Sequence, residues 1–183
     1  MITFEEFRDA RVKHICKEPR CPGDHTYTEH DFVGGLFDLI CKTNPRSIVE
    51  IGAYRGVSTE LFLLKCQRVV TIDPWEYPDG IFVEFIERCG AYPNLELYRG
   101  ESPGELARFG NDFDMCYIDG MHTAAAVTAD IIACSRVVKP HGYLAGHDFH
   151  MPHIEKAVIG IVAEPVEVFK DGSWLTTNKL KRY

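Results

Sequence analysis

The residues of this chain that could carry chemistry recur at one kind of position. Glu50 with Gly52, Asp73, Gly100 with Glu101, Asp119, and His147 with Asp148 each close a short apolar run. If those runs are parallel strands, their carboxyl ends lie along one edge of a sheet, where open α/β sheets bind ligands. The first run, SIVEIGAYRGVST (Ser47 to Thr59), reads as a strand, a glycine turn and a helix. Such a turn aims backbone N–H groups and the positive end of a helix at a polar or anionic ligand. The turn Gly52-Ala53-Tyr54-Arg55-Gly56 puts Tyr54 where G-x-G-x-x-G has the glycine that admits a pyrophosphate. It therefore suits a smaller zwitterionic group without phosphates. Asp73, 21 residues beyond Gly52, is placed to accept hydrogen bonds from both hydroxyls of an adenosine ribose, although Asp before Pro74 also starts turns. Trp75 is suited equally to covering an adenine ring and to packing in the core.

The elements that would position these residues follow from hydrophobic spacing. Apolar residues recur at helical intervals from Asp31 to Thr43, and Asn44-Pro45 ends that helix. Strands are expected at 47–52, 68–73, 95–99, 113–119 and 143–148, alternating with helices at about 57–66, 80–89, 103–109 and 122–138. That alternation predicts a doubly wound α/β sheet, mostly parallel, with right-handed crossovers. After a helix near 153–163, strands at 165–169 and 174–177 flank Lys170-Asp171-Gly172-Ser173, and Asp-Gly between strands signals an antiparallel hairpin closing the sheet. Residues 1–13 read as an amphipathic helix and 17–30 as a loop suited equally to forming part of a substrate entrance and to being a plain surface connection. The segment 1–45 is expected to cap a single domain spanning 1–183.

Composition narrows the function. A net charge of −7 without a Lys/Arg stripe argues against a nucleic-acid partner, and no apolar run reaches the ~18–20 residues of a membrane span. A charged start, MITFEEFRDARVK, lacks the apolar core of an export signal, so the expected location is the cytoplasm. The seven cysteines are odd in number and form no C-x-x-C pair, which points to reduced, mostly buried thiols. His14, Cys16, Cys21, His25 and His30 lie close in sequence, but their spacing fits no zinc-finger pattern. A small-molecule substrate is the expected partner; the sequence is silent on oligomeric state.

With these residues in hand, a family likeness is plain. EIGAYRGVS, followed by an acidic residue ending the second strand, resembles the class I S-adenosylmethionine-dependent methyltransferases. Within them it is most similar to small-molecule O-methyltransferases of the catechol O-methyltransferase kind and to bacterial relatives acting on sugars and natural products. The resemblance covers roughly residues 31–180 and implies a Rossmann-like, seven-stranded sheet ending in an antiparallel hairpin. It implies that Glu50, Gly52, Ala53, Tyr54 and Ser58 surround the methionine part of S-adenosylmethionine, that Asp73 holds the ribose, and that Gly100, Glu101 and Ser102 lie by the adenine.

A second pair of motifs, IDGMH (Ile118 to His122) and GHDF (Gly146 to Phe149), resembles the family's catalytic and metal-binding residues. By that resemblance Asp119, His147 and Asp148 would bind a divalent metal, with His147 departing from the expected acidic residue. Histidine favours zinc, manganese or iron over magnesium. His122 stands where the catechol enzymes have a lysine base, and imidazole can take a hydroxyl proton near neutral pH. The implied catalytic set is His122, Asp119 and His147, with His147 equally able to serve as ligand or orienter. The implied reaction is methyl transfer to a hydroxyl of a small molecule. The motifs are also similar to cephalosporin hydroxylase-like relatives. An S-adenosylmethionine-binding module without chemistry is a third reading, left open by Met121 and His147.

Overall fold

The computed structural model describes residues 29–76 and 80–182. The helix expected at 1–13, residues 17–28 of the expected loop, and His14, Cys16, Cys21 and His25 lie outside them. The chain runs α1 (Glu29–Thr43), β1 (Ser47–Ile51), α2 (Val57–Lys65), β2 (Arg68–Ile72), α3 (Ile81–Cys89), β3 (Leu95–Tyr98), α4 (Ser102–Leu106), β4 (Phe113–Ile118), α5 (Ala124–Val137), β5 (Val138–Gly146), α6 (Pro152–Ile161), β6 (Glu167–Val168) and β7 (Trp174–Thr177).

Seven strands form one sheet in the order β3-β2-β1-β4-β5-β7-β6. The first five neighbours pair in parallel, while β7 pairs antiparallel with both β5 and β6. The strand order reverses between β1 and β4, so the crevice beyond their carboxyl ends is the switch point at which such sheets take ligands.

Side-chain alternation along the central strands divides the core in two, as period-2 geometry requires. Ile48, Val69, Met115 and Tyr117 pack on one face with Leu36, Leu39 and Ile40 of α1, Leu61 and Phe62 of α2 and Phe85 of α3. Val49, Ile51, Val70, Ile72, Cys116 and Ile118 pack on the other with Val127 and Ile131 of α5 and Ile154 and Val158 of α6. Helix α1, expected as part of a cap, is thus a wall of the core: Leu39 is fully buried.

Two boundaries differ from expectation. β5 begins at Val138 because Val138 pairs with Phe113, after which the register jumps to Met115 opposite Tyr143; Pro140 and Gly142 sit in this irregular stretch. The hairpin carries five residues between Val168 and Trp174, one more than the expected Lys170-Asp171-Gly172-Ser173, because its first strand ends at Val168 and not at Phe169. Asp171 is buried in it, and Gly172 supplies the positive φ of 85°.

Candidate active site

The end of β1 is tied to both neighbouring strands. Gly52 N–H donates to Ile72 O at 2.9 Å, and Asp119 N–H donates to Ile51 O at 2.8 Å. Gly52 has φ of 84°, and a Cβ there would stand 2.1 Å from the Asp119 carbonyl oxygen. Only glycine fits, on both conformational and steric grounds. Asp73 fastens the turn that follows. Its Oδ2 accepts the N–H groups of Ala53 and Tyr54, both at 2.9 Å, and its Oδ1 accepts that of Trp75 at 2.7 Å.

Beside this turn lies a cavity of about 540 Å³, within the ~300–1,000 Å³ typical of small-molecule sites. Gly52, Asp73, Gly100, Glu101 and Ser102 line it as expected, together with Glu76, Gly120, Met121 and Asp130, which sequence reasoning did not select. Glu76 is an exposed carboxylate three residues from Asp73. Asp130 was detectable in principle: it stands on the buried stripe of α5 beside Val127, Ile131 and Cys134, where a carboxylate needs a reason. Burial pushes its carboxyl up, opposed by a hydrogen bond from the Ser102 hydroxyl.

Next to the cavity, β4 and β5 end in a cluster of imidazoles and carboxylates. His122 Nε2 lies 3.4 Å from Asp119 Oδ1 and 3.1 Å from Asp148 Oδ2. His147 Nδ1 lies 3.1 Å from Asp148 Oδ1, and its Nε2 lies 2.8 Å from the Asp171 carbonyl oxygen. Burial raises the Asp119 carboxyl, against the pull of His122. The Asp119 carboxylate in turn holds His122 above the ordinary imidazole value. For His147, burial favours the neutral ring, but the Asp148 hydrogen bond and the charges of Asp119, Asp148 and Asp171 outweigh it and push the pKa to about 9. Asp148 is itself depressed: burial opposes ionisation, and His147 and His122 overcome it.

A family model described as a methyltransferase domain matches residues 49–149, more than half of the chain. The chain belongs to the methyltransferase domain family. Solved structures agree on the fold. The O-methyltransferase from Bacillus cereus in complex with SAH is 20% identical with a TM-score of 0.61, over 97% of this chain and 90% of that one. N-methyltransferase NodS from Bradyrhizobium japonicum is 13% identical with a TM-score of 0.57, over 82% and 98%. Spermidine synthase from Thermotoga maritima is 16% identical with a TM-score of 0.58, over 85% of this chain and 62% of that one. No curated protein matches by sequence.

In this methyltransferase domain several expected site residues stand behind the cavity wall. Glu50 is fully buried, and its oxygens accept hydrogen bonds from Ser58 Oγ (2.5 Å), Thr59 Oγ1 (2.6 Å) and Thr71 Oγ1 (2.9 Å). It faces the α2 side of the sheet and ties β1, β2 and α2 together instead of meeting a ligand. Ser58 and Ala53 are buried in the same wall. Trp75 is packed: its ring lies 4.8 Å from Phe85 and 5.2 Å from Phe82, and its Nε1 donates to Tyr54 O. Packing, not adenine stacking, accounts for it. Tyr54 is exposed on the outside of the turn, with φ of 47°.

His147 also departs from expectation. A carbonyl oxygen only accepts, so Nε2 carries a proton, and Nδ1 faces an ionised carboxylate. Both ring nitrogens are thus engaged, Nε2 with the Asp171 carbonyl and Nδ1 with Asp148. The donor atoms that converge belong to Asp119, His122 and Asp148, all within 4.8 Å of one another. Asp148 Oδ2 is buried and makes no hydrogen bond despite its contact with His122. A buried carboxylate oxygen beside an imidazole nitrogen and a second carboxylate fits a divalent cation.

Proposed function

We propose that this methyltransferase moves the methyl group of S-adenosylmethionine to a hydroxyl of a small molecule. The observation that carries the reading is His122 Nε2, set between Asp119 and Asp148 in a cluster joined to the cavity through the lining residues Gly120 and Met121. The cofactor would lie across the glycine turn, its ribose near Asp73 and Glu76. Three N–H groups already occupy Asp73, yet Oδ1 accepts only one of them and retains a lone pair for a ribose hydroxyl. The acceptor hydroxyl gives its proton to the His122 ring in its neutral form, which is present above its raised pKa. Its oxygen attacks the methyl carbon, and the C–S electron pair returns to sulfur, leaving a neutral thioether. Asp119 and Asp148 stabilise the imidazolium that forms. Holding oxygen, carbon and sulfur in line supplies much of the rate.

The same three side chains would hold a divalent cation, in which case His122 is a ligand. An imidazole among carboxylates suits zinc, manganese or iron better than magnesium. When bound, the ion supplies a Lewis acid that lowers the hydroxyl pKa. We place the reaction in the cytoplasm, with a small-molecule acceptor and neither nucleic acid nor membrane as partner. The acidic net charge supports this, as do five free cysteines among the described residues. No helix of the described residues is long and apolar enough to cross a membrane.

The test follows transfer of labelled methyl from S-adenosylmethionine to a panel of phenols and sugars, with and without EDTA. His122→Ala and Asp119→Ala should each lose about 10²–10⁴-fold in turnover while still binding S-adenosylhomocysteine. Undiminished transfer in both variants removes the mechanism. EDTA-sensitive turnover restored by added metal assigns His122 to the ion; insensitivity assigns it to the proton.

A further inference from the structure

The backbone of His147 is fixed on both sides. Its N–H donates to Ile118 O at 3.0 Å, and its carbonyl oxygen accepts from Trp174 Nε1 at 3.1 Å. Its ring spans from the hairpin to the acidic cluster: Nε2 donates to the Asp171 carbonyl oxygen at 2.8 Å, and Nδ1 lies 3.1 Å from Asp148 Oδ1. Asp148 needs that support. Its backbone stands at φ of 61°, in the left-handed region that a residue with a side chain keeps only where its surroundings hold it. Its Oδ2 is buried without a hydrogen bond, 3.1 Å from His122 Nε2. A buried carboxylate oxygen in that state gains by rotating toward any donor. With Oδ1 fixed on His147, the planarity of the carboxylate decides where Oδ2 points.

We infer that His147 is a positioning residue. It holds the Asp148 carboxylate in the rotation that presents Oδ2 to the point where Asp119, His122 and Asp148 converge, and it stays outside the coordination sphere of a cation bound there. The inference rests on the role proposed above for Asp148 and adds what sets its direction. Partners that orient a ligating or catalytic side chain in this way are worth about 10–100-fold in metal affinity or activity.

The test measures Zn2+ affinity by calorimetry, and kcat and KM for methyl transfer, on the full chain and its variants. His147→Ala removes both ring contacts and should weaken Zn2+ binding and lower kcat by about 10–100-fold each, with the KM for S-adenosylmethionine unchanged. In His147→Asn the amide stands where Nδ1 was and donates to Asp148, so most of that loss should be recovered. His147→Gln reaches the Asp171 carbonyl but not Asp148, and should recover little. Cu2+ binds an N/O site more tightly than the other divalent first-row ions. Pulsed EPR with substoichiometric Cu2+ should therefore count one coordinated imidazole, lost in His122→Ala and kept in His147→Ala. Two coordinated imidazoles in the wild type, unchanged affinity and kcat in His147→Ala, or equal values in His147→Asn and His147→Gln would each overturn the inference. A melting curve identifies variants that fail to fold; if His147→Ala is one, the contrast between Asn and Gln decides. If the wild type transfers methyl but binds no cation, the kcat values decide. A wild type that neither binds Zn2+ nor transfers methyl refutes the proposed function, and the role of His147 falls with it.

Discussion

Glu50 shows how far a single side chain departs from what its place in a motif suggests. Its position in EIGAYRG marks it for the cofactor, but period-2 alternation on β1 turns it toward α2, where the hydroxyls of Ser58, Thr59 and Thr71 receive it. Burial, partly offset by those hydroxyls, pushes its pKa up to about 7. In the unfolded chain Glu50 ionises above its ordinary value of 4.5, while the folded chain keeps the proton until about pH 7. The folded state thus binds more protons in that window, and stability must fall as pH rises through it, by about 3 kcal/mol, then level off. Urea unfolding at pH 5, 6, 7 and 8 should show this decline in wild type and a smaller one in Glu50→Gln; parallel curves would refute it. Asp119, Asp130 and Asp171 are raised too and tilt both proteins the same way, so the difference isolates Glu50. The motif revealed which residues gather near the turn. It was blind to facing, because Glu50, Trp75 and His147 owe their roles to partners distant in sequence: Thr71, Phe85 and Asp171.

At the scale of elements the sequence was more informative, since strands and helices announce themselves by period and the glycine turn by composition. Every expected strand is present, and the expected strand ends converge on the switch point. What escaped was local. Hairpin length depended on where β6 ends, at Val168, and the start of β5 depended on one pairing across to Phe113. The turn itself makes a sharp prediction. Gly52→Ala forces a methyl group to within 2.1 Å of the Asp119 carbonyl oxygen at a φ of 84°. Left-handed backbone alone costs a side chain about 1–2 kcal/mol, and relieving the clash must displace the β1–β4 junction. The variant should lose more than about 2 kcal/mol of stability and, where folded, bind S-adenosylhomocysteine at least tenfold more weakly. Unimpaired binding would show that the junction can move without consequence, and that the turn does not set the cofactor site.

For the molecule as a whole, the contact that closes the fold joins α1 to the hairpin between β6 and β7. Asp171 Oδ2 accepts the Leu36 N–H at 2.6 Å, its Oδ1 accepts the Ser173 N–H at 2.9 Å, and a Cβ on Gly35 would overlap the carboxylate. The same two regions are joined at the surface by Lys42–Glu167 at 2.5 Å and Lys170–Asp38 at 3.9 Å. Water decides which of these matters. Exposed pairs contribute about 0–1 kcal/mol, whereas each buried N–H left without an acceptor costs about 1–3 kcal/mol. Asp171→Ala should therefore destabilise by about 2–5 kcal/mol, lowering Tm by about 5–15 °C, while Lys42→Ala should shift it by less than about 3 °C. The effect should extend to the site, because the Asp171 carbonyl oxygen accepts from His147, which pairs with Asp148. Turnover in Asp171→Ala, measured well below its Tm, should fall with the hairpin out of place; equal melting temperatures for the two variants would mean that α1 is held by its apolar contacts alone.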